Sequence, residues 1–303
     1  MIQISIRHLR YFDALAQHGH FGRAAEACAI SQPALSVQMK ELEEILGAPL
    51  IERGARQIRL TAIGEAFALR ARDILRSVDE LANLARAAHG PLTGRLRIGV
   101  IPTIAPYLLP RLIQALSARF PDLDLRPREA VTQKLVEDLI EGRLDIALVA
   151  LPISEPSLVE HPLFSEEFVL VRPEADADRP VPYPETLRTM RLLLLEEGHC
   201  FRDQALSFCK MSPSVSRDLM EGSSLSTLVQ MVGAGIGVTL IPQMAVDIET
   251  RTAPVAVARL RDPRPSRTIG LVWRRSNPLS GQFAGLIDLL KEVARPGQDI
   301  TAV

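Results

Sequence analysis

The stretch Phe21-Gly22-Arg23-Ala24-Ala25-Glu26-Ala27-Cys28-Ala29-Ile30-Ser31-Gln32-Pro33-Ala34-Leu35-Ser36 holds two helical patterns with a tight turn at Ala29-Ile30 between them. Ser31 is a good N-cap because its hydroxyl accepts from a backbone N–H of the first turn, and Pro33 is tolerated there because that turn has N–H groups to spare. Leu35, Met39 and Leu42 repeat at i, i+4, i+7, the stripe of a helix buried on one side. Gln32, Ser36 and Gln38 are left pointing outward. Upstream, Leu9, Phe12, Leu15 and Ala16 give an earlier helix that ends at His18-Gly19-His20. Short polar side chains at the start of the later helix suit a reader of base edges in the major groove, while its dipole favours phosphate. Downstream, residues 50 to 60 read as a hairpin carrying Arg53, Arg56 and Arg59, a wing for the phosphate backbone.

Charge does not separate a DNA reader from a plain helical subdomain, since residues 1 to 60 hold seven Lys/Arg against six Asp/Glu, a weak basic footprint. With Leu42-Glu43 and Leu46-Gly47 behind it, the quoted stretch resembles the winged helix-turn-helix of LysR-type transcriptional regulators, and Ser-Gln-Pro-Ala-Leu-Ser is its most specific part. The resemblance implies that Ser31, Gln32, Pro33, Ser36, Gln38 and Arg53 lie near DNA. Cys28, set among alanines, reads as a core residue rather than a reactive thiol.

Residues 61 to 90 read as a long helix capped by Thr61 and stopped by Gly90-Pro91. Leu75, Val78, Leu81 and Leu84 form a seam that a domain of about sixty residues cannot bury alone, so a partner chain is the expected cover and packing on its own domains the plain alternative. In LysR-type regulators this helix is a dimerisation linker, which supplies the two-fold symmetry for two DNA half-sites. From residue 91 strands alternate with helices: strands at 96–101, 123–128 and 144–151, with helices reaching to 120 and running over 132–142. Such alternation predicts a parallel sheet. A second half follows, with strands near 168–172, 192–196 and 238–242 and a helix capped by Ser223. A late strand at 267–273 is positioned to return to the first half, and a last helix spans 281–293. The expected class is therefore mixed α and β: a winged helix-turn-helix (1–60), a linker helix (61–90) and a two-lobed α/β effector domain (91–303), periplasmic-binding-protein-like by the resemblance. Thr103 and Thr132 lie just past strand ends, where open sheets bind ligands. Each taken alone reads first as a helix cap.

The 303 residues, 47% hydrophobic with a formal net charge of −1, have room for two or three domains and carry no polyelectrolyte tail. No long apolar run ends in a small-residue cleavage site and no stretch approaches a membrane span, so the cytoplasm is the expected compartment, with no membrane partner. Three cysteines are too few for a disulfide scaffold, and without zinc-type Cys/His spacing neither metal nor cofactor is expected. Cys200 and Cys209 share the run Glu197-Gly198-His199-Cys200-Phe201-Arg202-Asp203-Gln204-Ala205-Leu206-Ser207-Phe208-Cys209. If 201–209 is helical, their Cα atoms stand roughly 13 Å apart along the axis and face opposite sides. A disulfide needs about 4.4 to 6.8 Å, so joining them requires the helix to unwind.

Three runs, Ile101-Pro102-Thr103-Ile104-Ala105-Pro106-Tyr107-Leu108-Leu109-Pro110, the cysteine run, and Arg267-Thr268-Ile269-Gly270-Leu271-Val272, are similar to the peroxide-sensing branch of the LysR family over nearly the whole chain. That resemblance implies hydrogen peroxide as the signal, Cys200 as the reactive thiol and Cys209 as the resolving thiol. It also implies Thr103, Thr132, His199 and Asp203 as shapers of the pocket, with Arg267 near the thiol. A thiol of ordinary pKa, about 8.5, must ionise to attack an O–O bond, and His199 and Arg202 are the local cations for that. Thr103 or His199 with a water would protonate the departing hydroxide. Condensation of the sulfenic acid with Cys209 gives a disulfide that thioredoxin or glutaredoxin would reduce. The implied partners are double-stranded promoter DNA, RNA polymerase and further copies of the chain, as a dimer of dimers, in a non-enzymatic activator of antioxidant genes. A LysR-type regulator gated by a small metabolite in the interlobe cleft is the alternative. A thiol peroxidase is the third, and it has no use for the Ser31–Ser36 helix. The stretch Lys210-Met211-Ser212-Pro213-Ser214 departs from the acidic, glycine-containing sequence of the enterobacterial type.

Overall fold

The computed structural model describes residues 3–52, 58–87, 92–187, 190–209, 220–294 and 301–302. The chain divides into two compact units, Met1–Ala85 and Arg86–Val303.

In the first unit α1 (Ile6–His18) starts at Ser5, whose hydroxyl accepts from the His8 N–H at 3.2 Å, and ends at Gly19 in the left-handed region (φ 60). α2 (Phe21–Ala27) and α3 (Gln32–Leu46) follow, with Ser31 capping α3 by accepting from the Ala34 N–H at 3.3 Å. Leu35, Met39 and Leu42 are buried with Phe12, Leu15, Ala24 and Leu50, so the sequence stripe is the inner face of α3. Burial of each such leucine contributes roughly 1.5–3 kcal/mol. Ile51 bridges Leu60 in antiparallel sense and the Glu52 N–H donates to the Arg59 carbonyl at 2.9 Å, the base of the expected hairpin. Arg53 lies outside the described residues. In α4 (Ala62–Ala87) the Thr61 hydroxyl accepts from the Gly64 N–H at 3.0 Å. Phe67 packs edge-on against Phe12 at 5.4 Å and Arg72 Nε reaches Asp13 at 2.8 Å, fastening α4 to α1. Leu75 and Val78 are half-buried, whereas Leu81 and Leu84 are exposed.

The second unit runs β1 (Gly94–Val100), α5 (Ala105–Arg119), β2 (Leu123–Glu129), α6 (Thr132–Ile140), β3 (Ile146–Leu151), β4 (Leu158–Pro173), α7 (Pro184–Leu187), β5 (Leu192–Leu195), α8 (Cys200–Phe208), β6 (Glu221–Gly222), α9 (Leu225–Gly233), β7 (Val238–Pro242), α10 (Val246–Glu249), β8 (Val255–Arg259), β9 (Ser266–Arg274), α11 (Phe283–Val293) and β10 (Thr301–Ala302). The strand order β2-β1-β3-β9-β4-β7-β5-β6 makes one sheet through two lobes. β1 pairs in parallel with β2 and β3, as the alternation predicts. β9 does return to the first lobe, but it pairs antiparallel with β3 and β4, so the sheet is mixed. β4 is sixteen residues long where the sequence marks only 168–172. Glu160, His161, Ser165, Glu166 and Glu167 interrupt its apolar pattern, and their partner is the distant β9. Beyond Glu167 the same strand pairs with β7 and β8, which carries it into the second lobe. Each lobe has its own core, one around Leu112, Leu148 and Leu271, the other around Leu170, Leu193 and Leu240. The cap of α9 is Ser224, accepting from the Thr227 N–H at 3.2 Å, one residue beyond the expected Ser223.

Candidate functional site

β1, β2 and β5 each lead into a helix whose amino end faces the same interlobe crevice. Ile101, Pro102, Thr103, Val131 and Thr132 line it from the first lobe, and His199, Cys200 and Phe201 from the second, around about 160 Å³ of empty space. Gly198 makes the approach to α8 with φ +95, a left-handed conformation that suits only glycine well. Because α5, α6 and α8 all begin here, their unpaired N–H groups and macrodipoles favour negative charge in the crevice.

Thr103 and Thr132 do not cap their helices. The N-cap positions are Ile104 and Val131, neither making a side-chain cap bond, which leaves both threonine hydroxyls for other work. Thr103 Oγ1 accepts from Arg267 Nη1 at 2.7 Å, and the Thr103 carbonyl accepts from Nη2 at 3.0 Å. Since that hydroxyl accepts from a guanidinium, its own proton is directed elsewhere. Thr132 Oγ1 is buried with no hydrogen-bond partner, an acceptor and donor left for something in the crevice.

The two cysteines flank α8 in unlike surroundings. Cys200 is the first helical residue, half-buried against the core of the first lobe. Cys209 is the C-cap, fully buried in the core of the second lobe, and that burial pushes its thiol up to about 11. His199 occupies the N-cap without a capping bond, and burial lowers its pKa, against the pull of Glu196 and Glu129. It is therefore neutral at pH 7 and supplies no fixed cation. Arg202 is turned away: Nη1 donates to the Leu195 carbonyl at 2.7 Å and Nη2 pairs with Glu221 at 2.7 Å, clamping α8 to β5 and β6. Asp203 is exposed and outside the crevice lining. Arg267 is buried and paired with Glu166 at 2.6 Å, its guanidinium 5.4 Å from the Phe201 ring centre. Of the expected site residues, Cys200, His199, Thr103 and Thr132 meet in one crevice and Arg267 supports it through Thr103. Cys209, Arg202 and Asp203 are elsewhere on α8 or at its end. No group of three or more His, Cys, Asp or Glu side chains able to hold a metal occurs among the described residues.

A model of the LysR substrate binding domain matches residues 89–295, and one of the bacterial regulatory helix-turn-helix protein, lysR family, matches residues 6–65. A probable hydrogen peroxide-inducible genes activator of Streptomyces viridosporus is 44% identical over 297 residues, 97% of this chain and 95% of that protein. Full-length OxyR from Pseudomonas aeruginosa with a cysteine-to-aspartate substitution superposes with a TM-score of 0.72 at 37% identity, covering 97% and 95% of the two chains. The chain is a LysR-family regulator of the OxyR type. A hydrogen-peroxide-bound, cysteine-to-serine OxyR from Corynebacterium glutamicum gives a TM-score of 0.67 at 35% identity, over 96% and 93% of the chains.

In this OxyR-type chain the outer face of α3 presents Gln32, Pro33 and Ser36 exposed and Gln38 half-buried, where Gln38 Nε2 also donates to Glu41 at 2.9 Å. Val37, 63% exposed between them, is an apolar side chain on this face that the sequence stripe does not mark. Two further side chains at the thiol site escape sequence reasoning. Gln204 Oε1, one turn beyond Cys200, is buried without a partner. Glu166 is the cross-strand neighbour of Arg267, and only the long-range β4–β9 register brings the two together. No helix among the described residues is long and apolar enough to cross a membrane.

Proposed function

We propose that the chain is a hydrogen-peroxide-sensing transcriptional regulator in which Cys200 is the peroxide-reactive thiol and Cys209 the resolving thiol. The observation that carries this reading is the unpartnered Thr132 hydroxyl facing the same narrow crevice as Cys200 and Thr103. The site offers hydrogen bonds to a very small polar molecule. Sites for metabolite-sized ligands span about 300–1,000 Å³, and the crevice here is far too narrow for such a ligand, which weighs against the metabolite-gated alternative.

In the proposed reaction the Cys200 thiolate attacks one peroxide oxygen; an S–O bond forms, the O–O bond breaks, and hydroxide leaves. Thr103 and Thr132 hold the peroxide, and a proton relayed through the Thr103 hydroxyl or a water at neutral His199 turns the hydroxide into water. Neither Arg202 nor Arg267 acts as a free cation, since each is neutralised by a carboxylate; the helix amino-termini supply the favourable field. Cys209 then attacks the sulfenic sulfur, forming the S–S bond as the S–O bond breaks and a second water leaves. A dithiol of the thioredoxin or glutaredoxin type returns two electrons and resets the pair. One peroxide is consumed per cycle of signalling, a sensor rather than a turnover catalyst.

α3, through Ser31, Gln32, Pro33, Ser36 and Gln38, would read promoter DNA, with Arg53 on the phosphate backbone. The exposed Leu81 and Leu84 of α4 support a two-fold partner chain, and a dimer of dimers would respace two such readers when α8 refolds. RNA polymerase contact in the oxidised form and a cytoplasmic location complete the proposal. The test is a comparison of DNA footprints for the dithiol and the peroxide-treated protein: different sets of contacted half-sites are expected, and identical footprints with Cys200 demonstrably oxidised would refute it.

A further inference from the structure

The crevice is built half from each lobe, so its geometry depends on what holds the lobes together. Glu166 and Arg267 face each other across β4 and β9, the strands shared by or bordering both lobes, and Arg267 fixes Thr103 from below. A second polar contact crosses the cleft one helical turn further along α5. The Tyr107 hydroxyl, on the first lobe, donates to Glu249 Oε1 at 2.6 Å, and the Ser226 hydroxyl, on the second, donates to Glu249 Oε2 at 2.5 Å. Glu249 ends α10 and is nearly buried at 8% exposure. Short hydroxyl-to-carboxylate bonds of this kind are among the stronger ones. Burial and the adjacent carboxylate both raise the Tyr107 phenol, which keeps it a donor at every physiological pH.

We propose that Glu249, clasped by Tyr107 and Ser226, is a positioning residue for the peroxide reaction, holding the first turns of α5 against the second lobe and so fixing Thr103 relative to Cys200. Nothing in the clasp lines the crevice or touches the sulfur; it acts through the position of Thr103. The inference rests on the peroxide-sensing reading. Attack on a two-atom substrate tolerates little misplacement, and an error of about 1 Å costs on the order of 100-fold in rate.

The test uses the reduced full-length chain and two reagents, hydrogen peroxide, which needs the crevice, and iodoacetamide, which needs only a reachable thiolate. Tyr107→Phe and Glu249→Gln are each expected to slow peroxide oxidation of Cys200 by about 10- to 100-fold while alkylation changes less than about twofold. The double variant is expected to lose no more than the worse single variant, because the three groups act as one unit. Should Glu249→Gln fail to fold, Ser226→Ala, which removes one donor and leaves the interlobe bond, gives about a three- to tenfold loss in the same ratio. Peroxide rates within twofold of the parent in Tyr107→Phe, or peroxide and alkylation rates falling together, would overturn the positioning role. A parent protein that reacts with peroxide no faster than free cysteine would instead overturn the sensing reading on which the clasp depends.

Discussion

The two ends of α8 hold the same functional group in opposite states. At the amino end Cys200 faces a crevice with hydroxyls and helix N–H groups, packed on the core of the first lobe. At the carboxyl end Cys209 is wholly buried in the apolar core of the second, its thiol pushed up to about 11 by desolvation. One thiol is offered to solvent-borne oxidant; the other is withheld from it. With roughly 13 Å of helix rise between them, they cannot meet while α8 stands. In the proposed reaction the helix is therefore the threshold between a first, local oxidation and a second, global rearrangement. Its fastenings are specific: Phe201 packs edge-on against Phe168 at 4.7 Å, and Arg202 ties α8 to the Leu195 carbonyl and Glu221.

The comparison breaks most simply at the sulfur atoms. Cys200→Ser is expected to abolish peroxide-induced change, whereas Cys209→Ser keeps the first step within about threefold and stops at a sulfenic acid that dimedone traps. Mass spectrometry of the trapped adduct checks both. Next in size is reactivity in the native dithiol state. With a thiol near 11, only on the order of one Cys209 in 10⁴ is ionised at pH 7, so alkylation of Cys200 should exceed that of Cys209 by at least about 100-fold, and urea should remove the gap. The same shift gives a stability signature. A thiol raised in the folded state contributes stability in full below its unfolded value of 9.0 and loses it as pH rises through about 11. Denaturant midpoints of Cys209→Ala should accordingly fall less between those pH values than those of the parent.

Loosening α8 sharpens the contrast from the other side. Arg202→Met removes a buried clamp and should speed disulfide formation by roughly 10-fold, with the initial peroxide step unchanged, as followed by dimedone trapping against non-reducing gels. Thr132→Val should slow the first step by about tenfold yet raise the melting temperature slightly, because it replaces an unsatisfied buried hydroxyl with a methyl group. The smallest effect is expected at His199. Burial keeps its imidazole neutral at pH 7, so His199→Gln should alter the peroxide rate by less than about threefold and leave the rate profile between pH 6.5 and 8 without a lost inflection.

Local rules made the amino-terminal unit legible: Ser31, Pro33 and the Leu35, Met39, Leu42 stripe fold as spacing says, because caps and i, i+4 contacts are decided within a few residues. The same rules misread Thr103 and Thr132 as caps, since the cap position depends on backbone dihedrals that placed Ile104 and Val131 there instead. Arg202 reads as a cation beside its neighbour Cys200, but its carboxylate partner Glu221 comes from a different strand. Glu166 carries no sequence signal at all, its pairing with Arg267 spanning 101 residues. What the sequence leaves hidden at this site is chiefly the set of long-range charge pairs that cancel its apparent cations.

The most direct measurement adds one equivalent of hydrogen peroxide to the fully reduced chain and follows two signals together, non-reducing peptide maps and amide hydrogen exchange across residues 200–209. The expected result is a sulfenic acid on Cys200 while α8 is still protected, then a Cys200 to Cys209 bond appearing in step with loss of that protection, with Cys28 free throughout. A disulfide formed with α8 protection intact, or a Cys200 that stays reduced, would contradict it.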